Sequence, residues 1–175
     1  MHRDEALSSA AADVIRTLTS RGETIATCES LTAGLLSATL ASVPGASTAL
    51  RGGLVTYATD LKKSLAHVSA YLIDNHTVIS AEVARAMAFG ARQQCGSDWA
   101  IALTGVAGPD MQDGRAVGTV FMGVAGPLNA AAFQLSSSAA RDGDLFTGGR
   151  NAIRSSVVER ALEEFCEFID HQGTK

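Results

Sequence analysis

The sequence predicts one three-layer α/β/α domain over residues 1–175, built on a mixed, mostly parallel sheet of about five strands. Three observations carry that expectation. Short apolar runs alternate with stretches whose apolar residues recur at helical spacing, the pattern of parallel strands joined by right-handed crossovers. Late in the chain two strand-like runs are separated only by Gly126-Pro127-Leu128-Asn129, which adds an antiparallel hairpin. The chain has 175 residues, 46% hydrophobic and 18% charged, enough apolar material for one sizeable core.

The elements follow in order. Asp4 to Ser20 reads as a helix, with Leu7, Ala11, Val14, Ile15 and Leu18 at helical spacing and Arg21-Gly22 as its stop. Thr24 to Cys28 is a strand of branched and compact residues. A helix then opens, with Thr32 as a candidate cap and Leu35, Leu36 and Leu40 inside it, ending at Val43-Pro44-Gly45. Gly52 to Tyr57 reads as the second strand and Asp60 to Leu65 as a short helix. Ser80 opens a longer helix whose inner face is Val83, Ala84, Met87, Ala88 and Ala91. Trp99 to Thr104 is an apolar strand, and Met111 to Ala116 a polar loop. Gly118–Val124 and Ala131–Ser136 form the hairpin. A last helix spans about Gly149 to Ile169, with Ile153, Val157, Ala161, Phe165 and Ile169 on one face and Arg154 outside it.

Composition narrows the function classes. Net charge is −4 and no basic block occurs, so a nucleic-acid partner is not expected. No apolar run reaches membrane-spanning length and no signal-peptide core is seen, so no membrane partner is expected and the location expected is cytoplasmic. Cys28, Cys95 and Cys166 are far apart without a Cys-x-x-Cys pair, and His2, His67, His76 and His171 lack ligand spacing, so no metal site is expected. Cys28 reads as a small buried strand residue, although it is also a rival nucleophile.

Ligands of open α/β sheets bind outside the carboxyl ends of the parallel strands. The first three strands end in Glu29-Ser30, Tyr57 and Thr104-Gly105, which brings Ser30, Tyr57 and Thr104 toward one crevice. Ser30 lies at a strand-to-helix turn, suited to a nucleophile, an anion site or a simple turn residue. Lys62, five residues after Tyr57, is either a solvated lysine or a base for that serine, because burial can lower an amine toward neutrality. Gly105-Val106-Ala107-Gly108-Pro109 is too short for a P-loop or a dinucleotide fingerprint, but it lets backbone approach a ligand. Thr147-Gly148-Gly149-Arg150 is either an anion seat or an ordinary helix start.

Five segments resemble the C-terminal domain of the CinA (competence/damage-inducible) proteins, whose stand-alone members are nicotinamide-nucleotide amidohydrolases. These are Thr27-Cys28-Glu29-Ser30-Leu31-Thr32-Ala33-Gly34; Val43 to Ser47 with Arg51 to Tyr57; Tyr57 with Lys62; Thr104 to Pro109 with Val117 to Val120; and Phe146-Thr147-Gly148-Gly149-Arg150. The resemblance runs in order over nearly the whole chain. It implies hydrolysis of the carboxamide of nicotinamide mononucleotide, with release of ammonia, in pyridine-nucleotide salvage. Ser30 would be the nucleophile, Lys62 the general base and Tyr57 their assistant. Thr32, Gly34, Thr104, Gly105, Gly108 and Arg150 would bind substrate, with Arg150 on its phosphate. No metal or other cofactor is implied, the partner is a small nucleotide, and a homo-oligomer, such as a dimer, is expected.

The sequence departs from the family pattern in three places: Leu31 stands for the usual cysteine, Ala33 for a glycine, and Gly149 for an aspartate. Lys63 competes with Lys62 as base, and Arg141 with Arg150 as phosphate contact. A nucleotide-binding or regulatory protein without chemistry, tied to competence or DNA damage, is the alternative.

Overall fold

The computed structural model describes residues 2–138 and 143–172. Five strands, β1 (Ile25–Glu29), β2 (Leu50–Val55), β3 (Trp99–Gly105), β4 (Val120–Ala125) and β5 (Ala130–Gln134), form one sheet in the order β2-β1-β3-β4-β5. β1 pairs in parallel with β2 and β3, and β4 pairs antiparallel with β3 and β5, so β4 alone runs against the other four. The expected mixed α/β architecture is therefore present.

Among the described residues six α-helices accompany the sheet: α1 (His2–Arg21), α2 (Leu35–Ala41), α3 (Thr59–Ser64), α4 (Ala70–His76), α5 (Ala81–Cys95) and α6 (Arg150–Gln172). Alternation along the strands assigns the two faces. Ile25, Ile101, Leu103, Val120, Met122 and Val124 pack with Val14 and Leu18 of α1, Leu36 and Leu40 of α2, and Ile153, Val157 and Phe165 of α6. Full burial of each such side chain contributes about 1.5–3 kcal/mol. The opposite face is built from small residues: Ala26, Cys28, Ala100, Ala102 and Ala125 lie under Val83, Met87, Ala88 and Ala91 of α5. Small residues let that helix come close. A Cβ on Gly123 would stand 2.1 Å from the Ala84 carbonyl oxygen, so only glycine fits there.

The boundaries differ from the sequence expectation at informative places. β2 ends at Val55, so Thr56 and Tyr57 lie past the strand in the turn leading to α3. The expectation had no element between Leu65 and Ser80, where α4 sits; its cap is Ser69, whose side chain accepts the Leu72 N–H. Thr32 does not cap α2: the N-cap is Gly34, at φ 94. Ser80 does cap α5, accepting the Val83 N–H.

Candidate active site

The site grows from the end of β1. The Ser30 N–H bonds the Leu103 carbonyl at 2.9 Å, and the Thr56 N–H bonds the Glu29 carbonyl at 2.8 Å. The ends of three parallel strands are thus tied together where the chain leaves the sheet. Glu29, fully buried, folds back over the start of α2. Its Oε2 accepts the N–H groups of Gly34 (3.0 Å) and Leu36 (2.9 Å); its Oε1 accepts the Ser37 N–H and the Ser37 hydroxyl, both at 2.8 Å. A carboxylate at this position neutralises the positive end of the helix. It also takes the very N–H groups that a strand-to-helix turn otherwise offers to a ligand. Within the turn, Ala33 N–H bonds the Ser30 carbonyl and Leu35 N–H the Thr32 carbonyl, while the N–H groups of Leu31 and Thr32 have no partner among the described residues.

The amine of Lys62 reaches this turn from the last turn of α3. Its Nζ lies 3.0 Å from Ser30 Oγ and donates to the carbonyls of Thr56 (2.7 Å) and Tyr57 (3.4 Å). The side chain is only 1% exposed, whereas Lys63 beside it is exposed. Burial holds the Lys62 amine below its ordinary value of 10.5, with nearby Cys28 acting in the opposite direction. Two pure acceptors and one hydroxyl surround this nitrogen. A neutral amine satisfies that set by donating its two N–H groups to the carbonyls, leaving its lone pair toward the Ser30 O–H. Cys28 is buried 3.5 Å from the Thr56 hydroxyl, and burial pushes its thiol up to about 11. Little thiolate exists near neutral pH, so Cys28 is a packing residue rather than a nucleophile.

A cavity of about 280 Å³ opens over Ser30 and Lys62. Leu31, Val78, Ile79, Thr104 and Gly105 line it, as do Tyr57, Gly108, Asp110, Gln112 and Arg150. Arg150, the first residue of α6, donates to the Tyr57 phenol at 3.3 Å and to the Gly108 carbonyl, so two cavity walls meet at one guanidinium. Thr104 lines the cavity, but its hydroxyl donates to the Val78 carbonyl at 2.7 Å and so holds the wall carrying Val78 and Ile79. Thr32 and Gly34 stand outside the lining. Thr32 is fully buried with a hydroxyl that has no partner among the described residues, and Gly34 supplies a left-handed turn residue and an N–H to Glu29. Arg141 lies outside the described residues.

The sequence reading treated Glu29 only as part of the turn and placed Arg154 outside. Arg154 instead donates to the Leu31 carbonyl from Nε at 3.1 Å and to the Thr32 carbonyl from Nη2 at 2.8 Å. One signal for it was available: Arg154 follows Arg150 by four residues, so both project from one side of α6. Among the described residues no group of His, Cys, Asp and Glu is arranged to hold a metal ion, and no helix is long and apolar enough to cross a membrane.

Comparison with known proteins adds a family. The model of the CinA C-terminal domain matches residues 7–169. A "CinA-like protein" of Prochlorococcus marinus is 40% identical over 167 residues, which cover 95% of this chain and 37% of that protein. The chain spans about a third of the length of the curated relatives it matches. Among solved structures, the competence damage-inducible protein A of Klebsiella pneumoniae superposes with a TM-score of 0.86 at 27% identity, covering 94% of this chain and 98% of that one. The competence/damage inducible protein CihA of Agrobacterium tumefaciens gives 0.83 at 29% identity, covering 94% and 96%.

Proposed function

The chain belongs to the CinA C-terminal domain family, and from that premise we propose that it is an amidohydrolase that converts nicotinamide mononucleotide to the corresponding acid and ammonia. The observation that carries the reading is the Ser30 Oγ to Lys62 Nζ separation of 3.0 Å, with the amine buried and its two other contacts both carbonyl oxygens. A neutral lysine in that setting takes the serine proton as the oxygen attacks the carboxamide carbon. The tetrahedral intermediate then collapses. Its C–N bond breaks, the Lys62 ammonium returns a proton to the departing nitrogen, and ammonia leaves an ester on Ser30. Water, deprotonated by Lys62, attacks that ester; the C–O bond to Ser30 breaks, Lys62 returns the proton to Ser30 Oγ, and the acid leaves.

The remaining lining fits such a substrate. Val78 and Ile79 offer an apolar wall to a flat ring, and Arg150 at the start of α6 offers a charged, bidentate contact to a phosphate. The Leu31 N–H, unpartnered in the turn after the nucleophile, is the candidate donor to the developing oxyanion. The Tyr57 phenol meets Arg150 at the rim, while the Tyr57 carbonyl accepts from the Lys62 amine.

The test is ammonia release from nicotinamide mononucleotide, nicotinamide riboside and free nicotinamide, for the wild type, Ser30→Ala and Lys62→Met. Both substitutions are expected to lower turnover of the mononucleotide by at least about 1000-fold with the fold intact. Undiminished turnover by Ser30→Ala rejects the mechanism. Calorimetric binding of the nucleotide by wild type without ammonia release rejects the enzyme in favour of a regulatory nucleotide-binding protein.

A further inference from the structure

We propose that Arg154 is a positioning residue for the oxyanion contact, acting through the backbone of the turn after Ser30. The inference rests on the hydrolase reading above. A donor to an oxyanion is useful only if it is aimed before the reaction begins, because reorienting a loose peptide during the reaction consumes the stabilisation it provides. Of the two N–H groups in the turn without a partner among the described residues, that of Leu31 is the one next to the nucleophile, and its aim depends on the peptide planes on either side of Leu31.

Both planes are pinned. The carbonyl of the preceding peptide, that of Ser30, accepts the Ala33 N–H at 3.1 Å. The carbonyl of the following peptide, that of Leu31, accepts Arg154 Nε at 3.1 Å, and the next carbonyl, that of Thr32, accepts Nη2 at 2.8 Å. In a trans peptide the N–H and C=O point in opposite directions, so a bond on a carbonyl fixes the N–H of the same unit: the Ser30 carbonyl fixes the Leu31 N–H, and Arg154 on the Thr32 carbonyl fixes the Ala33 N–H that holds it. The turn itself supplies the first pin. Nothing in the turn supplies the second: α2 begins only at Leu35, whose N–H is bonded to Thr32 rather than to Leu31. A guanidinium from α6 fills the place of the missing helical bond.

The side chain suits that task. Arg154 is half-buried, and its Nη1 donates to Asn151 Oδ1 at 3.1 Å, which steadies the fork. Two parallel donors on adjacent carbonyls set an orientation that a single ammonium does not. The positive charge also polarises those two peptides, strengthening the Ala33 N–H that holds the Ser30 carbonyl and, through it, the unit carrying the Leu31 N–H. Because Glu29 takes the Gly34, Leu36 and Ser37 N–H groups, α2 cannot substitute as the donor, and the aim of this one turn decides the rate.

The experiment measures covalent labelling of Ser30 by an alkyl fluorophosphonate, followed by intact mass. In this reaction the Ser30 oxygen bonds to phosphorus, fluoride leaves, and the serine proton passes to Lys62. The phosphoryl oxygen occupies the oxyanion position, and no amide substrate is needed. Arg154→Met is expected to label about 100-fold more slowly than wild type at a temperature where both are folded, with a non-covalent first step of unchanged affinity. Arg154→Lys is expected to recover only a small part of that loss. If Arg154→Met does not fold, Arg154→Gln, which keeps one donor, is expected to fall between it and wild type. Labelling of a folded Arg154→Met or Arg154→Gln at the wild-type rate overturns the inference and leaves the arginine a purely structural brace. Wild-type protein that labels but releases no ammonia from nicotinamide mononucleotide rejects the proposed substrate and leaves the inference standing. Wild-type protein that does not label rejects the nucleophile and the inference with it.

Discussion

Glu29 and Ser37 are joined twice, the Glu29 Oε1 accepting both the backbone N–H and the hydroxyl of Ser37 at 2.8 Å. The other oxygen accepts the Gly34 and Leu36 N–H groups, so a fully buried carboxylate holds the start of α2 against the end of β1. Ser30 is the next residue in the chain, and this clamp sets the turn it occupies. Glu29→Gln keeps the shape but turns one oxygen into a donor facing donors. Hydrogen bonds to a charged group are worth about 1.5–3 kcal/mol each, and a buried unmet donor costs about 1–3 kcal/mol. The substitution is therefore expected to destabilise the protein by about 2–4 kcal/mol, measured as a lower midpoint in urea unfolding. A midpoint equal to wild type would show that the clamp contributes nothing.

The buried Lys62 amine makes both rate and stability depend on pH. As a base it must be neutral, so turnover is expected to rise with pH through a midpoint below 10.5, the ordinary value from which burial lowers it. For stability, the unfolded chain keeps the Lys62 proton up to that ordinary value while the folded chain gives it up sooner. The unfolded state therefore binds more protons within that window, and the folded state gains stability as pH rises through it. Lys62→Met removes this dependence. Its stability relative to wild type is expected to be greatest below the window and to shrink as pH approaches 10.5, read from urea midpoints at a series of pH values. A constant difference between the two proteins across that range rejects a lowered Lys62.

Those two side chains also show what the sequence revealed of the site and what it hid. A strand-to-helix change marks Ser30, but Glu29 reads only as part of that turn, because the carboxylate's contacts run five to eight residues ahead, into α2. Spacing from Tyr57 points to Lys62, with Lys63 beside it as a rival. Only the direction in which α3 leaves Tyr57 buries the first and exposes the second. Thr104 was legible as a residue at the strand edge, whereas its hydrogen bond to the Val78 carbonyl depends on a crossing between segments 26 residues apart. The five strands and most helices were legible from periodicity. The short α4, flanked by His67 and Thr77 at positive φ, was not, because seven residues with no buried member carry no inward stripe.

Arg150 supplies the sharpest separation of binding from chemistry. It is exposed at the start of α6, donates to the Tyr57 phenol and the Gly108 carbonyl, and touches neither Ser30 nor Lys62 through a hydrogen bond. A phosphate entering the cavity exchanges those two neutral acceptors for an anionic one, a gain of about 1.5–3 kcal/mol, or about 10–150-fold in affinity. Arg150→Met is therefore expected to raise KM for nicotinamide mononucleotide by that factor while leaving kcat within about threefold. It should leave any turnover of nicotinamide riboside, which has no phosphate, unchanged. Tyr57→Phe, which removes the phenol and keeps the guanidinium, is the control: it frees Arg150 from one neutral acceptor and is expected to leave KM for the mononucleotide equal or lower. Equal losses on the phosphorylated and unphosphorylated substrates in Arg150→Met would assign the guanidinium to bracing Tyr57 and Gly108 rather than to the phosphate.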